Sequence, residues 1–261
     1  MLKLLLSILF PFFVSTADTL VTVKISPLTA DYNIDGKIVY AASFDIKDNW
    51  YIYWINPGDA GMETNISILN GDEEIPVDIY FPFPAKYESE GLASYGFKGK
   101  PNFFFSLPDN FRATYPLKFK VSWLACKDVC IPGNEVVQLE YLEMIEPDEN
   151  TVSYFSNIPK ENGLLRVSHK LSDQSLIVNI SSNNPGNSYN FDEVLVYPVS
   201  GGMVETTGEN YTYSGTSATV TFNLDSFRDT SINDLTLAIY NPNGWGKSNV
   251  KNIYHTINLK E

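Results

Sequence analysis

Cysteine and histidine are scarce in this chain, with two of each among 261 residues. A structural zinc site needs four ligands, and two cysteines supply only half of them. His169 and His255 fall in strand-like runs of the second half, where half-exposed strand positions account for them. Basic residues are also in deficit: 18 Lys and Arg against 31 Asp and Glu, a net charge of −13. Such a surface repels nucleic acid and anionic lipid. Helical periodicity is missing over any long stretch, and no internal repeat is visible. No G-x-S-x-G elbow, P-loop or H-E-x-x-H occurs, which leaves hydrolase, nucleotide and zincin chemistry without a motif. After the first 17 residues no segment approaches the roughly 18–20 consecutive apolar residues of a membrane helix.

Those first residues, MLKLLLSILFPFFVSTA, read as a secretory signal peptide: one lysine, a short apolar run, then small residues with Ser15 and Ala17 at a cleavage site. The alternative is an uncleaved N-terminal anchor. Export places the chain where disulfides persist.

What the chain has in abundance is strand pattern. In LKFKVSWLA, Leu117, Phe119, Val121, Trp123 and Ala125 share one face, and Lys118, Lys120 and Ser122 the other. That period of two marks a half-buried strand. Similar runs recur, punctuated by Asp35-Gly36, Asn56-Pro57-Gly58, Asn70-Gly71 and Pro132-Gly133. The expected fold is all-β, with two immunoglobulin-like antiparallel β-sandwich domains in tandem. The expected divisions are a signal peptide at 1–17, a first domain at 18–145, a linker at 146–163 where acid, asparagine and proline replace the period, and a second domain at 164–261.

Both cysteines stand in SWLACKDVCIPGN, as Cys126 and Cys130. A disulfide holds its Cα atoms about 4.4–6.8 Å apart, whereas four extended residues span roughly 13 Å. If the two pair, the chain must turn through Lys127-Asp128-Val129, and Ile131-Pro132-Gly133 is expected to end that turn. As a staple the bridge is weak: closing so short a loop contributes about 2 kcal/mol, against about 4.7 for a loop of 100 residues. A local pair also suits exchange, in which one thiol attacks and its neighbour resolves the mixed disulfide. Spacing alone leaves redox exchange and a local structural bridge both open. Cu(I) held by two thiolates is a third reading, though no methionine lies near the pair in sequence.

Three ordered segments narrow this: WYIYWINPGDAGMETNISI, SYGFKGKPNFFF and VSWLACKDVCIPGNEVVQL. Over about Thr19 to Leu142 the chain resembles the N-terminal exported domain of the thiol:disulfide interchange protein DsbD, and more closely its ScsB-type relatives. The resemblance implies a periplasmic module with a redox-active Cys126–Cys130 pair and no cofactor. It implies a protein-disulfide reductase component that trades electrons with thioredoxin-like exported proteins or a disulfide isomerase, and a link to cytochrome c biogenesis. The chain shows no membrane electron-carrying domain, so a separate membrane thiol reductase is an expected partner. Cys130 is the expected attacked sulfur and Cys126 the resolving thiol. In such domains an aromatic-bearing loop caps the cysteines; Tyr95 and Phe97 are the candidates here, with ordinary core packing as the alternative. Trp123, Lys127 and Pro132 are the expected supporting residues, Lys127 by favouring a thiolate. The competing reading of another class is a non-catalytic secreted protein-binding module with an inert local disulfide.

Overall fold

The computed structural model describes residues 19–161, 163–184, 186–187, 189–246 and 250–260. The expected signal peptide, residues 1–17, lies outside the described residues.

The first half is built from β1 (Val21–Pro27), β2 (Asn33–Ile34), β3 (Lys37–Ile38), β4 (Tyr40–Ile46), β5 (Tyr51–Gly58), β6 (Asn65–Asn70), β7 (Glu73–Pro76), β8 (Ile79–Tyr80), β9 (Ala85–Ser89), β10 (Leu92–Phe97), β11 (Asn102–Phe105), β12 (Leu117–Cys126) and β13 (Cys130–Leu139). One sheet runs β1-β4-β11-β8. The other runs β7-β6-β12-β5-β10-β9, with β13 paired to β12. Their facing sides close on one core, to which Val23, Ile25 and Phe44 come from the first sheet and Ile52, Trp54, Phe119, Val121 and Trp123 from the second. Alternation decides which residues enter. Along β12 the odd positions from Leu117 to Ala125 are buried, while Lys118 is exposed and Lys120 and Ser122 are half-buried.

The stretch that reads as a linker holds α1 (Glu149–Ser156), started by Asp148, whose side chain accepts from the Thr151 backbone N–H. Tyr154 and Phe155 pack this helix onto Leu28, Val39 and Phe104 of the first sandwich. A second sandwich follows: β14 (Lys160–Glu161), β15 (Leu165–Leu171), β16 (Ser175–Ser182), β17 (Leu195–Pro198), β18 (Asn210–Tyr213), β19 (Ser217–Asn223), β20 (Asp234–Tyr240) and β21 (Asn252–Asn258). Its sheets run β14-β21-β20-β17 and β15-β16-β19-β18, around Val178, Val196, Val220, Leu237 and Trp245. All strand pairs named here are antiparallel except β14 with β21. Among the described residues the fold is all-β apart from α1.

The two cores touch. Phe83 stacks on Tyr197 of β17 and Tyr240 of β20, each at 4.6 Å between centroids, and Tyr95 meets Tyr197 at 4.6 Å. Apolar surface is thereby removed from water between the sandwiches as well as within them.

The expected turn at Ile131-Pro132-Gly133 is instead strand: all three residues lie in β13, opposite Ala125, Leu124 and Trp123. Proline is tolerated because β13 has one strand neighbour, so its missing N–H interrupts no second ladder. Gly133 is there for space. A Cβ at this position would sit 2.5 Å from Trp123 Nε1. We therefore expect Gly133→Ala to destabilise the protein by about 1–3 kcal/mol, the usual cost of overpacking, measured by denaturant unfolding of the oxidised chain.

Candidate functional site: a disulfide under a tyrosine cluster

Cys126 ends β12 and Cys130 begins β13, and the two are the last opposed pair of the hairpin. They form a disulfide with Cα atoms 4.2 Å apart. A three-residue loop joins the strands, closed by the Lys127 N–H donating to the Val129 carbonyl at 3.1 Å. The two sulfurs differ in setting. Cys126 is 1% exposed, whereas Cys130 is exposed at the hairpin tip.

Alternation places Cys126 on the outer face of its sheet, since Trp123 and Ala125 face the core. Beside it, β5 pairs Ala125 with Ile52 and Cys126 with Tyr51. Ile52 and Trp54 therefore point inward, and Tyr51 and Tyr53 point outward over the bridge. The Tyr53 hydroxyl donates to Cys126 Sγ at 3.0 Å and lies 3.7 Å from Cys130 Sγ. Tyr51 stands edge-on to Tyr53 at 5.2 Å, its hydroxyl 3.4 Å from that of Tyr53, and Tyr87 of β9 lies 4.9 Å beyond Tyr51. The Lys98 ammonium sits 4.4 Å over the Tyr87 ring. Gly61 closes the other side, with φ of 131°, and any Cβ there would overlap the Tyr53 ring.

Burial, then the neighbouring Tyr51 hydroxyl, pushes the Tyr53 phenol well above its ordinary value, with the Ser94 hydroxyl pulling slightly the other way. Tyr53 thus keeps its proton and serves as a donor. Burial, aided by Tyr154 and Tyr51, pushes Tyr87 up to about 12.

The residues expected around the pair divide sharply. Tyr95 and Phe97 do not cover the cysteines. Tyr95 is 1% exposed in the core against Trp54 and Tyr197, and Phe97 packs on Phe81 and Phe103. Phe97 pairs opposite Ile52, so it shares that residue's inward face. Trp123 is core, edge-on to Phe44 at 6.2 Å. Pro132 is exposed on β13. The Lys127 ammonium lies 3.9 Å from the Asp128 carboxylate on the loop, with both side chains substantially exposed. Such a pair adds little. Sequence reading passed over Tyr51, Tyr53 and Tyr87. The signal was present in WYIYWI: with Ile52 and Trp54 assigned to the core, the intervening tyrosines must face outward.

Residues 20–140 match the family described as thiol:disulfide interchange protein DsbD, N-terminal. This part of the chain is a DsbD-type N-terminal domain. In fold the chain is similar to the N-terminal periplasmic domain of ScsB from Proteus mirabilis, with a TM-score of 0.67 at 16% identity. That match covers 92% of this chain and 94% of the other, so the likeness of fold takes in both sandwiches. No curated protein sequence matches the chain. Among the described residues no group of three or more His, Cys, Asp and Glu is arranged to hold a metal ion.

Within the DsbD-type domain, Tyr53 is the polar side chain in hydrogen-bond reach of both sulfurs. A hydrogen bond to a charged sulfur is worth about 1.5–3 kcal/mol. Tyr53→Phe is therefore expected to raise the thiol pKa of reduced Cys126 by about one unit or more, read from the pH dependence of thiolate absorbance in a Cys130→Ser background. A second expectation concerns alkali. Tyr87 titrates near 10 when unfolded and at about 12 when folded, so the folded state retains the proton longer. Stability is fully present below about pH 10 and falls as pH rises towards 12. Unfolding midpoints across that range check the sign.

Proposed function

We propose that this protein is a periplasmic thiol:disulfide interchange module that passes electrons through Cys126 and Cys130 to or from thioredoxin-like exported proteins. The observation that carries the reading is the asymmetry of the bridge: one sulfur exposed at a hairpin tip, the other buried under a hydroxyl donor. The DsbD-type match over residues 20–140 supports the same chemistry, and the first and second sandwiches are read as two domains of one exported chain.

In the proposed exchange a partner thiolate attacks Cys130 Sγ. A new S–S bond forms between partner and Cys130 while the Cys126–Cys130 bond breaks. The electron pair of the broken bond leaves on Cys126 as a thiolate, which accepts the Tyr53 hydrogen bond. A second partner thiolate then attacks the partner sulfur of the mixed disulfide and releases Cys130. The partner dithiol is oxidised and this pair reduced, two electrons in all. Run in reverse, Cys130 attacks a client disulfide and Cys126 resolves it. Partners of this reading are a thioredoxin-like protein or disulfide isomerase on one side and a membrane thiol reductase on the other.

Equilibration with glutathione or dithiothreitol, followed by thiol trapping, tests it. An exchange module should show a potential of roughly −180 to −270 mV. A value well below about −300 mV is that of a structural disulfide and would sink the proposal in favour of an inert binding module. Cys126→Ser should accumulate a stable mixed disulfide through Cys130 with a thioredoxin-like partner, and Cys130→Ser should not. The opposite pattern would reverse the roles of the two thiols.

A further inference from the structure

The second sandwich carries no chemistry of its own near the cysteines, yet its contacts with the first converge on the elements that hold the tyrosine cluster. Lys86 of β9 makes a bidentate ion pair with Glu209, at 2.7 and 2.8 Å, with side chains only 11% and 12% exposed. The next residue along β9 is Tyr87, which packs on Tyr51. The Asp59 carboxylate accepts from the Thr206 hydroxyl on one oxygen and from the Ala93 N–H of β10 on the other, at 2.7 Å. Two residues on is Gly61, against the Tyr53 ring. Asn56, 2% exposed, donates to the Pro198 carbonyl at 2.8 Å. The second sandwich therefore grips the 56–61 segment, which ends β5 and leads out of it, and the β9–β10 hairpin, one on each side of Tyr51 and Tyr53.

We propose that Glu209 and Thr206 are positioning residues of the redox site: through Lys86 and Asp59 they fix β9 and the 56–61 segment at the end of β5, and these hold the Tyr53 hydroxyl on Cys126 Sγ. The second sandwich is then part of the exchange apparatus rather than a spacer. Charge-assisted pairs of this geometry resist displacement; Lys86 also lies 2.9 Å from the exposed Glu88 carboxylate, so removing Glu209 leaves a nearly buried ammonium with that solvated partner in place of the enclosed one. The inference deepens the exchange reading and rests on it.

The test uses the full chain with Glu209→Gln, Thr206→Val and the charge-swapped double variant Lys86→Glu/Glu209→Lys, beside Tyr53→Phe as reference. Two quantities are read: the rate of reduction of the bridge by dithiothreitol, and the pH profile of Cys126 thiolate absorbance in the Cys130→Ser background. Glu209→Gln and Thr206→Val should each slow reduction by roughly two- to thirtyfold, the span of coupling through a packed network. Each should also shift the thiolate profile upward, in the same direction as Tyr53→Phe. The double variant should regain at least part of both. A contact that merely docks the sandwiches would lower thermal stability and leave the thiolate profile unmoved, and that result overturns the proposal. So does a Tyr53→Phe variant that moves neither quantity, since nothing would then be positioned. Should Glu209→Gln fail to fold, Thr206→Val decides alone. If Cys126→Ser still traps a partner while these variants behave as the parent, only the positioning role falls; if no variant traps and the bridge proves structural, the exchange reading falls first.

Discussion

The site depends on one rung of one hairpin. β12 and β13 pair over ten positions and end with Cys126 opposite Cys130. Directly opposed residues of an antiparallel pair already stand about 4.5–5.5 Å apart, so register delivers the sulfurs to each other with the loop merely closing the end. The disulfide adds a short covalent ring to a geometry the ladder has set, and backbone pairing does not need the bridge to hold the strands in place. A reduced pair can occupy the same hairpin, with Cys126 still facing Tyr53.

The same alternation settles which side chains reach the bridge. Cys126 is one residue past Ala125, and Tyr51 and Tyr53 flank Ile52, so all three face away from the core that Ala125 and Ile52 enter. The period of β12 was legible in local pattern, and the turn through 127–129 followed on condition that the cysteines pair; the pairing itself was what the resemblance implied. For Tyr95 and Phe97 the sequence left a cap over the cysteines and ordinary core packing both open, and the structure has the core. Tyr95 and Phe97 lie in a segment that marks the family, but the bulge between Ser94 and Gly96 and the pairing of Phe97 with Ile52 set them inward. Local motif content identified the strand without its parity, and parity is fixed only by the neighbouring strand.

Other features had no local signal at all. The Asn56-Pro57-Gly58-Asp59-Ala60-Gly61 segment reads as a turn by composition, but Asn56 to Gly58 end β5 and the chain leaves the sheet only after them; Asn56 and Asp59 reach with their side chains to residues 142 and 147 positions away. Lys86 and Glu209 are separated by 123. A lone lysine on a strand and a lone glutamate in a loop look like ordinary solvated charges in a chain this acidic. Only docking of the two sandwiches through Phe83, Tyr197 and Tyr240 brings them together and excludes water from the pair. Likewise the 146–163 segment lacks strand period because two turns of it are helix, held by an Asp148 cap and two aromatic anchors.

The choice of a tyrosine beside Cys126 has its own logic. A cation next to a cysteine holds the thiolate permanently and lowers its pKa; the nearest one in sequence, Lys127, instead faces Asp128 on the exposed loop. A neutral hydroxyl also lowers the thiol pKa by donating to the thiolate, but it brings no second charge into the enclosed site. That requires the phenol to stay protonated, and burial ensures this by raising its pKa. The enclosure that hides Cys126 from solvent is thus also what keeps its donor a donor. Enclosure and proton both depend on Gly61, Tyr51 and Tyr87 staying where they are, which gives a second sandwich gripping those elements a physical reason to be there.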